Sequence, residues 1–124
     1  TAYENFMQDV LADLKDSLKL AEQAGIVKDK IILDPGVGFA KSYEQNLDVL
    51  RNLEQMSTLG YPVLLGASRK SVIGLTLDLP SEERLEGTLT TTIAAVQKGC
   101  AFVRVHDIKE NYRAIQMAQA IYRR

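Results

Sequence analysis

The sequence predicts an α/β fold organised around a parallel sheet. Three observations carry that reading: short apolar runs suited to buried strands occur three times, long amphipathic stretches separate them, and the resulting order is α-β-α-β-α-β-α. Strands buried on both faces read as continuous hydrophobic runs, and strands that alternate with helices pair in parallel. The repeat of about 35 residues is a βα unit rather than a solenoid motif. No composition break or low-complexity tract divides the chain. Three such units behind a leading helix suit either an open α/β domain or a piece of a barrel. A whole (β/α)8 barrel takes roughly 250 residues, against the 124 present.

Each element has its own signal. Residues 3–24 carry Phe6, Met7, Val10, Leu11, Leu14, Leu18 and Ala21 at three- and four-residue steps, the stripe of an amphipathic helix, and Gly25 suits its C-cap. Ile31-Ile32-Leu33 is a β-branched run stopped by Asp34-Pro35-Gly36, a strand feeding a loop. Ser42 and Gln45 have capping-box spacing for a second helix with the stripe Leu47, Leu50, Leu53 and Met56, stopped by Gly60 and Pro62. Pro62 to Ser68 forms the second strand. A loop from Arg69 to about Ser81 leads into a third helix over roughly 82–98, ended by Gly99, with a break or bend expected at Gly87. Ala101 to His106 is the third strand. Asp107 then reads as the N-cap of a last helix, with Glu110 three residues on and an apolar face of Ile108, Tyr112, Ile115, Ala118 and Ile121.

Composition narrows the function classes. Hydrophobic residues make up 46% and charged residues 25%, with a net charge of −1, which is ordinary for a soluble globular protein. Acids and bases are mixed, so no basic stripe points to nucleic acid. No apolar run approaches the ~20 residues of a membrane-spanning helix. Small molecules are the expected partners. Cys100 is the only cysteine, which excludes an internal disulfide and argues against a cysteine zinc site. It reads as a core filler, and the thiol usage fits a reducing cytoplasm. His106 is the only histidine, so a His-rich metal centre is excluded. The start, Thr1-Ala2-Tyr3-Glu4, has neither an initiator Met nor a signal peptide, and is read as a cut inside a longer protein.

The polar residues fall in one informative place. All three strands end, on the C-terminal side, in polar clusters: Asp34-Pro35-Gly36, Ser68-Arg69-Lys70 and Arg104-Val105-His106. In barrels and open α/β sheets alike, that edge is where sites are built. Asp34 suits a guanidine-like face of a ligand, or simply a turn before proline. Lys70 suits carbonyl and ring-nitrogen acceptors, and Ser71 with local N–H groups suits a carboxylate; the alternative is a solvated Arg-Lys pair in a loop. Arg104 and His106 alternate with Val103 and Val105, so both leave the strand on one face. They suit a phosphate, or a salt bridge with a neighbour such as Asp107. Gly36 and Gly38 form a weak Gly-x-Gly that lacks the third glycine of the dinucleotide fingerprint.

Four stretches in order, Asp34-Pro-Gly-Val-Gly-Phe-Ala-Lys41, Gly66-Ala-Ser-Arg-Lys-Ser71, Glu83-Arg-Leu-Glu-Gly-Thr88 and Arg104-Val-His-Asp107, resemble the dihydropteroate synthase family over nearly the whole chain. The resemblance implies the C-terminal half of a (β/α)8 TIM barrel, with residues 1–124 running from helix 5 through helix 8 and truncated at the N-terminus. It implies an enzyme that displaces pyrophosphate from a dihydropterin methyl pyrophosphate with the amine of p-aminobenzoate. Asp34, Gly66 and Lys70 would hold the pterin, and Phe39 and Ser71 the aminobenzoate. Arg104 and His106 would hold the leaving pyrophosphate, making Lys70, Arg104 and His106 the catalytic set.

Mg2+ would be bound in the other half of the barrel, with no metal ligand in this chain, and the enzyme would be a homodimer. Ala40 departs from the family pattern, where glycine is common. The fragment is expected to be inactive alone. Two rivals remain. One is the pterin-binding domain of a methyltetrahydrofolate methyltransferase, against which the cluster of cations argues. The other is a non-catalytic, self-associating piece of barrel, since its strand edges would be exposed.

Overall fold

Three stretches of backbone run parallel, side by side, in the order in which they occur in the chain. The computed structural model describes residues 2–39 and 41–123; Ala40, singled out above, lies outside them. Leu33 forms a single parallel bridge with Val63. Strands β1 (Leu64–Leu65) and β2 (Phe102–Val103) pair parallel, with Leu64 opposite Phe102 and Leu65 opposite Val103. Leu33 N–H donates to Pro62 O and Leu64 N–H to Leu33 O, both at 2.8 Å, while Arg104 N–H donates to Leu65 O at 2.9 Å.

The paired segments are shorter than the apolar runs that predicted them. Pro62 and Pro35 have no N–H to give a ladder. The Asp34 carboxylate takes Gly36 N–H at 2.8 Å, which turns the chain out of the sheet one residue past Leu33. The architecture is mixed α/β, mostly helical, with parallel strands.

Helix α1 (Ala2–Gln23) buries Met7 and Val10 and packs Phe6, Leu11, Leu14 and Leu18 against the core. Gly25 ends it at φ +80, with Gly25 N–H on Glu22 O and Ile26 N–H on Ala21 O. A left-handed residue just past a helix satisfies its last carbonyls in this way. Helix α2 (Tyr43–Arg51) starts with the expected reciprocal cap: Gln45 N–H donates to Ser42 Oγ at 3.1 Å and Ser42 N–H to Gln45 Oε1 at 3.0 Å.

The single second helix expected from the stripe is two. Asn52 breaks it at φ −124, ψ 27, and α3 (Leu53–Ser57) follows. Its amide donates to Asp48 O at 2.7 Å and its Oδ1 accepts from Gln55 Nε2 at 3.1 Å. The side chain thus competes with the helical ladder from both ends. Of the expected stripe, Leu53 and Met56 are fully buried and Leu47 and Leu50 only partly so. On α2 it is Val49 that is fully buried, and with Leu53 and Met56 it meets Val63, Leu65, Leu33, Val37 and Ala95 in the core.

The loop expected from Arg69 to Ser81 is corrected, because it contains helix α4 (Ser71–Leu77) and a 3-10 turn over Ser81–Glu83. Helix α5 (Leu85–Gln97) therefore starts later than residue 82. It does not break at Gly87, because the absence of a side chain there is used for packing. A Cβ on Gly87 would run into Ile73 Cγ2 of α4.

Helix α6 (Ile108–Tyr122) is locked to α5 by Thr92 Oγ1 and Asn111 Oδ1 at 2.6 Å, both residues being buried. Asp107 is the N-cap by position but makes no side-chain cap; its backbone O accepts from Asn111 N–H and Nδ2 instead. Of the apolar face expected on α6, Ala118 is buried, whereas Ile108, Tyr112 and Ile121 are exposed. No described helix is long and apolar enough to cross a membrane.

Candidate functional site

Parallel pairing puts Asp34, the Ser68–Lys70 turn and Arg104–His106 at the same end of three adjacent stretches. Asp34 divides its two oxygens. Oδ1 accepts from Gly36 N–H, so the turn-forming role is real, and Oδ2 lies 3.8 Å from Arg104 Nη2. At that distance, with both side chains well exposed, the ion pair adds little stability. It shows instead that residues 70 positions apart share one spot.

Gly66 makes the convergence possible. An added Cβ would sit 2.9 Å from Arg104 Nη2, so the guanidinium lies directly over the glycine. Arg104 does not pair with Asp107, as one alternative held; Asp107 Oδ1 takes Arg69 Nη2 at 3.1 Å.

Lys70 is half-buried and lies across the Gly36–Phe39 loop. Its Nζ donates to Val37 O at 2.5 Å and stands 4.5 Å from the centroid of the exposed Phe39 ring. Its stem fills the space that a Cβ on Gly38 would need, 3.2 Å from Cδ. The solvated Arg-Lys pair is therefore replaced by two anchored cations. Ser71 is exposed at the start of α4.

His106 is exposed and held from behind by the buried Ser68. Ser68 Oγ accepts His106 backbone N–H at 3.2 Å and lies 2.8 Å from Nδ1. The two contacts fix the ring's orientation, and which of Ser68 Oγ and Nδ1 donates depends on the tautomer.

The loop after Leu33 is pinned by Asn46, which is 3% exposed and whose Oδ1 accepts Gly38 N–H at 2.8 Å. Lys41 Nζ adds bonds to Gly36 O and Phe39 O at 3.1 and 3.4 Å. The arrangement can present a carboxylate oxygen, three cationic or polar donors and an aromatic face to one ligand. A cavity of about 410 Å³ borders it, between α1 residues such as Phe6 and Asp13 and the Asp34, Phe39 and Lys41 side. A larger apolar groove, about 490 Å³, lies among α2, α4 and α5 and shares no residue with this cluster.

The family pattern described as "Pterin binding enzyme" matches residues 1–106. The chain belongs to the pterin-binding enzyme family. Among similar family members, the dihydropteroate synthase of Clostridium beijerinckii is 56% identical over 125 residues, which is 100% of this chain and 46% of that protein. Two solved structures are similar in shape. The dihydropteroate synthase of Clostridium difficile, determined in the presence of pteroic acid, gives a TM-score of 0.92 at 50% identity over 96% of this chain and 45% of that one. The Coxiella burnetii enzyme in complex with pteroic acid gives 0.94 at 38% identity, over 98% of this chain and 45% of that one. The chain thus spans less than half the length of each of these three proteins.

For a pterin-binding enzyme the question of a metal follows directly. Among the described residues, no group of three or more His, Cys, Asp and Glu side chains is arranged to hold one. The cluster at the strand ends offers a single carboxylate, Asp34, among cations. That donor set does not suit Mg2+, which takes oxygen ligands. Cys100 is half-buried against the core, and burial pushes its thiol up to about 11. It stays protonated at neutral pH, which makes it a poor nucleophile.

Sequence reasoning missed Asn46, Arg84 and Thr88 as supports of the loops that carry the candidate residues. Arg84 and Thr88 stood in a motif with no role attached. A polar residue within the apolar stripe of α2 was the one available sign for Asn46.

Proposed function

We propose that this chain supplies the C-terminal half of a dihydropteroate synthase barrel, from helix 5 to helix 8, and with it much of the substrate-binding edge. The whole enzyme joins the methylene carbon of a dihydropterin pyrophosphate to the amine of p-aminobenzoate and releases pyrophosphate, in the cytoplasm. The observation that carries the reading is the meeting of Asp34, Gly66 and Arg104 at the ends of adjacent parallel segments.

Asp34 accepts hydrogen bonds from the amino-pyrimidinone edge of the pterin, and Lys70 donates to its carbonyl or ring nitrogen. Gly66 lets the ring approach the backbone. Arg104 and the Nε2 of His106 face the pyrophosphate. As the C–O bond breaks, negative charge grows on the leaving group, and preplaced donors stabilise it most at that moment. Holding the pterin flat aims the electron-poor methylene at the incoming amine. Phe39 packs against the aminobenzoate ring and Ser71 takes its carboxylate. No group on the protein becomes covalently attached. In this reading Mg2+ is held by residues outside this chain.

Asp34→Asn in the full-length enzyme tests the central role. An amide oxygen can keep the turn to Gly36 while the charge is lost, so the variant isolates the pterin contact. A hydrogen bond to a charged group is worth enough to weaken pterin binding by about 10- to 100-fold, measured by calorimetric titration. Equal affinity for both proteins would remove Asp34 from the pterin site. Self-association belongs to the same reading, supported by the exposed Ile108, Tyr112, Met117, Ile121 and Tyr122 of α6. Sedimentation of the full-length enzyme should give a dimer, and a monodisperse monomer would refute that part.

A further inference from the structure

The Glu83–Thr88 motif touches none of the groups assigned to substrate, yet it is tied to the turn that carries them. Arg69 is a non-glycine residue in the left-handed region, at φ +57. Such a conformation persists where the surroundings over-determine it, and both backbone polar groups of Arg69 and its guanidinium are engaged. Its N–H donates to Oγ1 of the fully buried Thr88 at 3.0 Å, its carbonyl accepts Arg84 Nη1 at 2.9 Å, and its Nη2 reaches Asp107 Oδ1 at 3.1 Å.

Arg84 is the joint. From the N-cap position of α5 its Nε also donates to Leu79 O at 2.9 Å. Its guanidinium lies flat on Gly74 of α4, where a Cβ would overlap it. One side chain therefore connects the turn after β1, helix α4 and the loop after α4. The peptide it grips joins Arg69 to Lys70, and Lys70 is the N-cap of α4, whose first residue is Ser71.

We propose that Arg84, together with Thr88, is a positioning residue: it locks residue 69 in its left-handed conformation and so aims Lys70 and Ser71 at the substrates. The inference rests on the reading of Lys70 as a pterin ligand. Arg84 acts through the turn, so its removal should be felt where Lys70 acts. It should be felt less at Arg104 and His106, which stand on another segment and reach the turn only through Ser68 and the Arg69–Asp107 pair.

The test is a double-mutant cycle on pterin affinity in the full-length enzyme, with inorganic pyrophosphate as the control ligand. Arg84→Met is expected to weaken pterin binding by about tenfold alone and by less than about twofold in a Lys70→Met background, the non-additivity of residues that work as one unit. Pyrophosphate affinity should fall less than pterin affinity. Thr88→Val, which keeps the shape but removes the hydroxyl, should repeat the pterin loss, and Thr88→Ser should restore it. This second pair carries the test if Arg84→Met does not fold.

Additive losses across the cycle, or equal losses of pterin and pyrophosphate, would overturn the clamp while leaving the site intact. Unchanged pterin affinity in Lys70→Met would instead overturn the reading of Lys70, and the clamp with it.

Discussion

Lys70→Met should lower kcat/KM of the full-length enzyme for the dihydropterin pyrophosphate by about 10²- to 10³-fold, the usual cost of removing one preorganised donor from a reacting site. Methionine keeps most of the apolar stem that lies over Gly38, so the substitution takes away the charge rather than the packing. The ammonium is already held in place. One bond goes to Val37 O, and the Phe39 ring stands under it at 4.5 Å. A lysine so restrained loses little side-chain entropy on binding, and it keeps N–H donors for a ligand. Steady-state assays of pyrophosphate release would measure the loss. An unchanged kcat/KM would mean that Lys70 only ties down its own loop.

The second large effect concerns the core. Leu53→Ala is expected to destabilise the protein by about 3 kcal/mol, within the range for deleting a buried leucine. Against a typical total of roughly 5–15 kcal/mol, that is a large fraction. Leu53 is fully buried and opens α3 immediately after the break at Asn52. The broken helix cannot slide to refill the space, because the Asn52 side chain is bonded on both sides. Urea denaturation should show a lower midpoint with an unchanged slope. A loss below about 1 kcal/mol would show that the cavity collapses, which the range for such sites allows only where neighbours can move.

Sequence signals are legible where the physics is local. The Ser42–Gln45 cap and the glycine end of α1 lie within a few residues of what they govern, and both form as expected. Helix α4 is invisible in the sequence because its causes are distant. Ser71-Val-Ile-Gly-Leu-Thr-Leu77 holds β-branched residues and a glycine, all poor helix formers. It is held by burial of Val72 and Ile73, by Arg84 against Gly74, and by Tyr43 OH with Thr76 Oγ1 at 2.8 Å. Gly87 misleads for the same reason: its neighbour Ile73 is on another helix.

The candidate site shows the same division. Alternation along the third strand correctly puts Arg104 and His106 on one side. Their partners, Asp34 and Ser68, stand 70 and 38 positions away, and only the parallel register brings them near. The choice of Arg69 over Arg104 as the partner of Asp107 likewise follows from the left-handed turn at Arg69, which side-chain spacing does not encode.

That register has a consequence for how such chains can vary. The Arg104 and His106 side chains reach Asp34 and Ser68, while Val103 and Val105 border a cavity with Ile108, Tyr112 and Ile115 that Arg104 also lines. Side chains alternate along a strand, so slipping it by one residue exchanges its two faces. One amino acid added between Gly99 and Val103 would leave composition and overall hydrophobicity almost untouched, yet it would turn valines toward Asp34 and Ser68 and carry Arg104 and His106 to the other side. An added residue is therefore expected to cost most in the segment only a few residues long beside β2. Counting residues there is as informative as naming them.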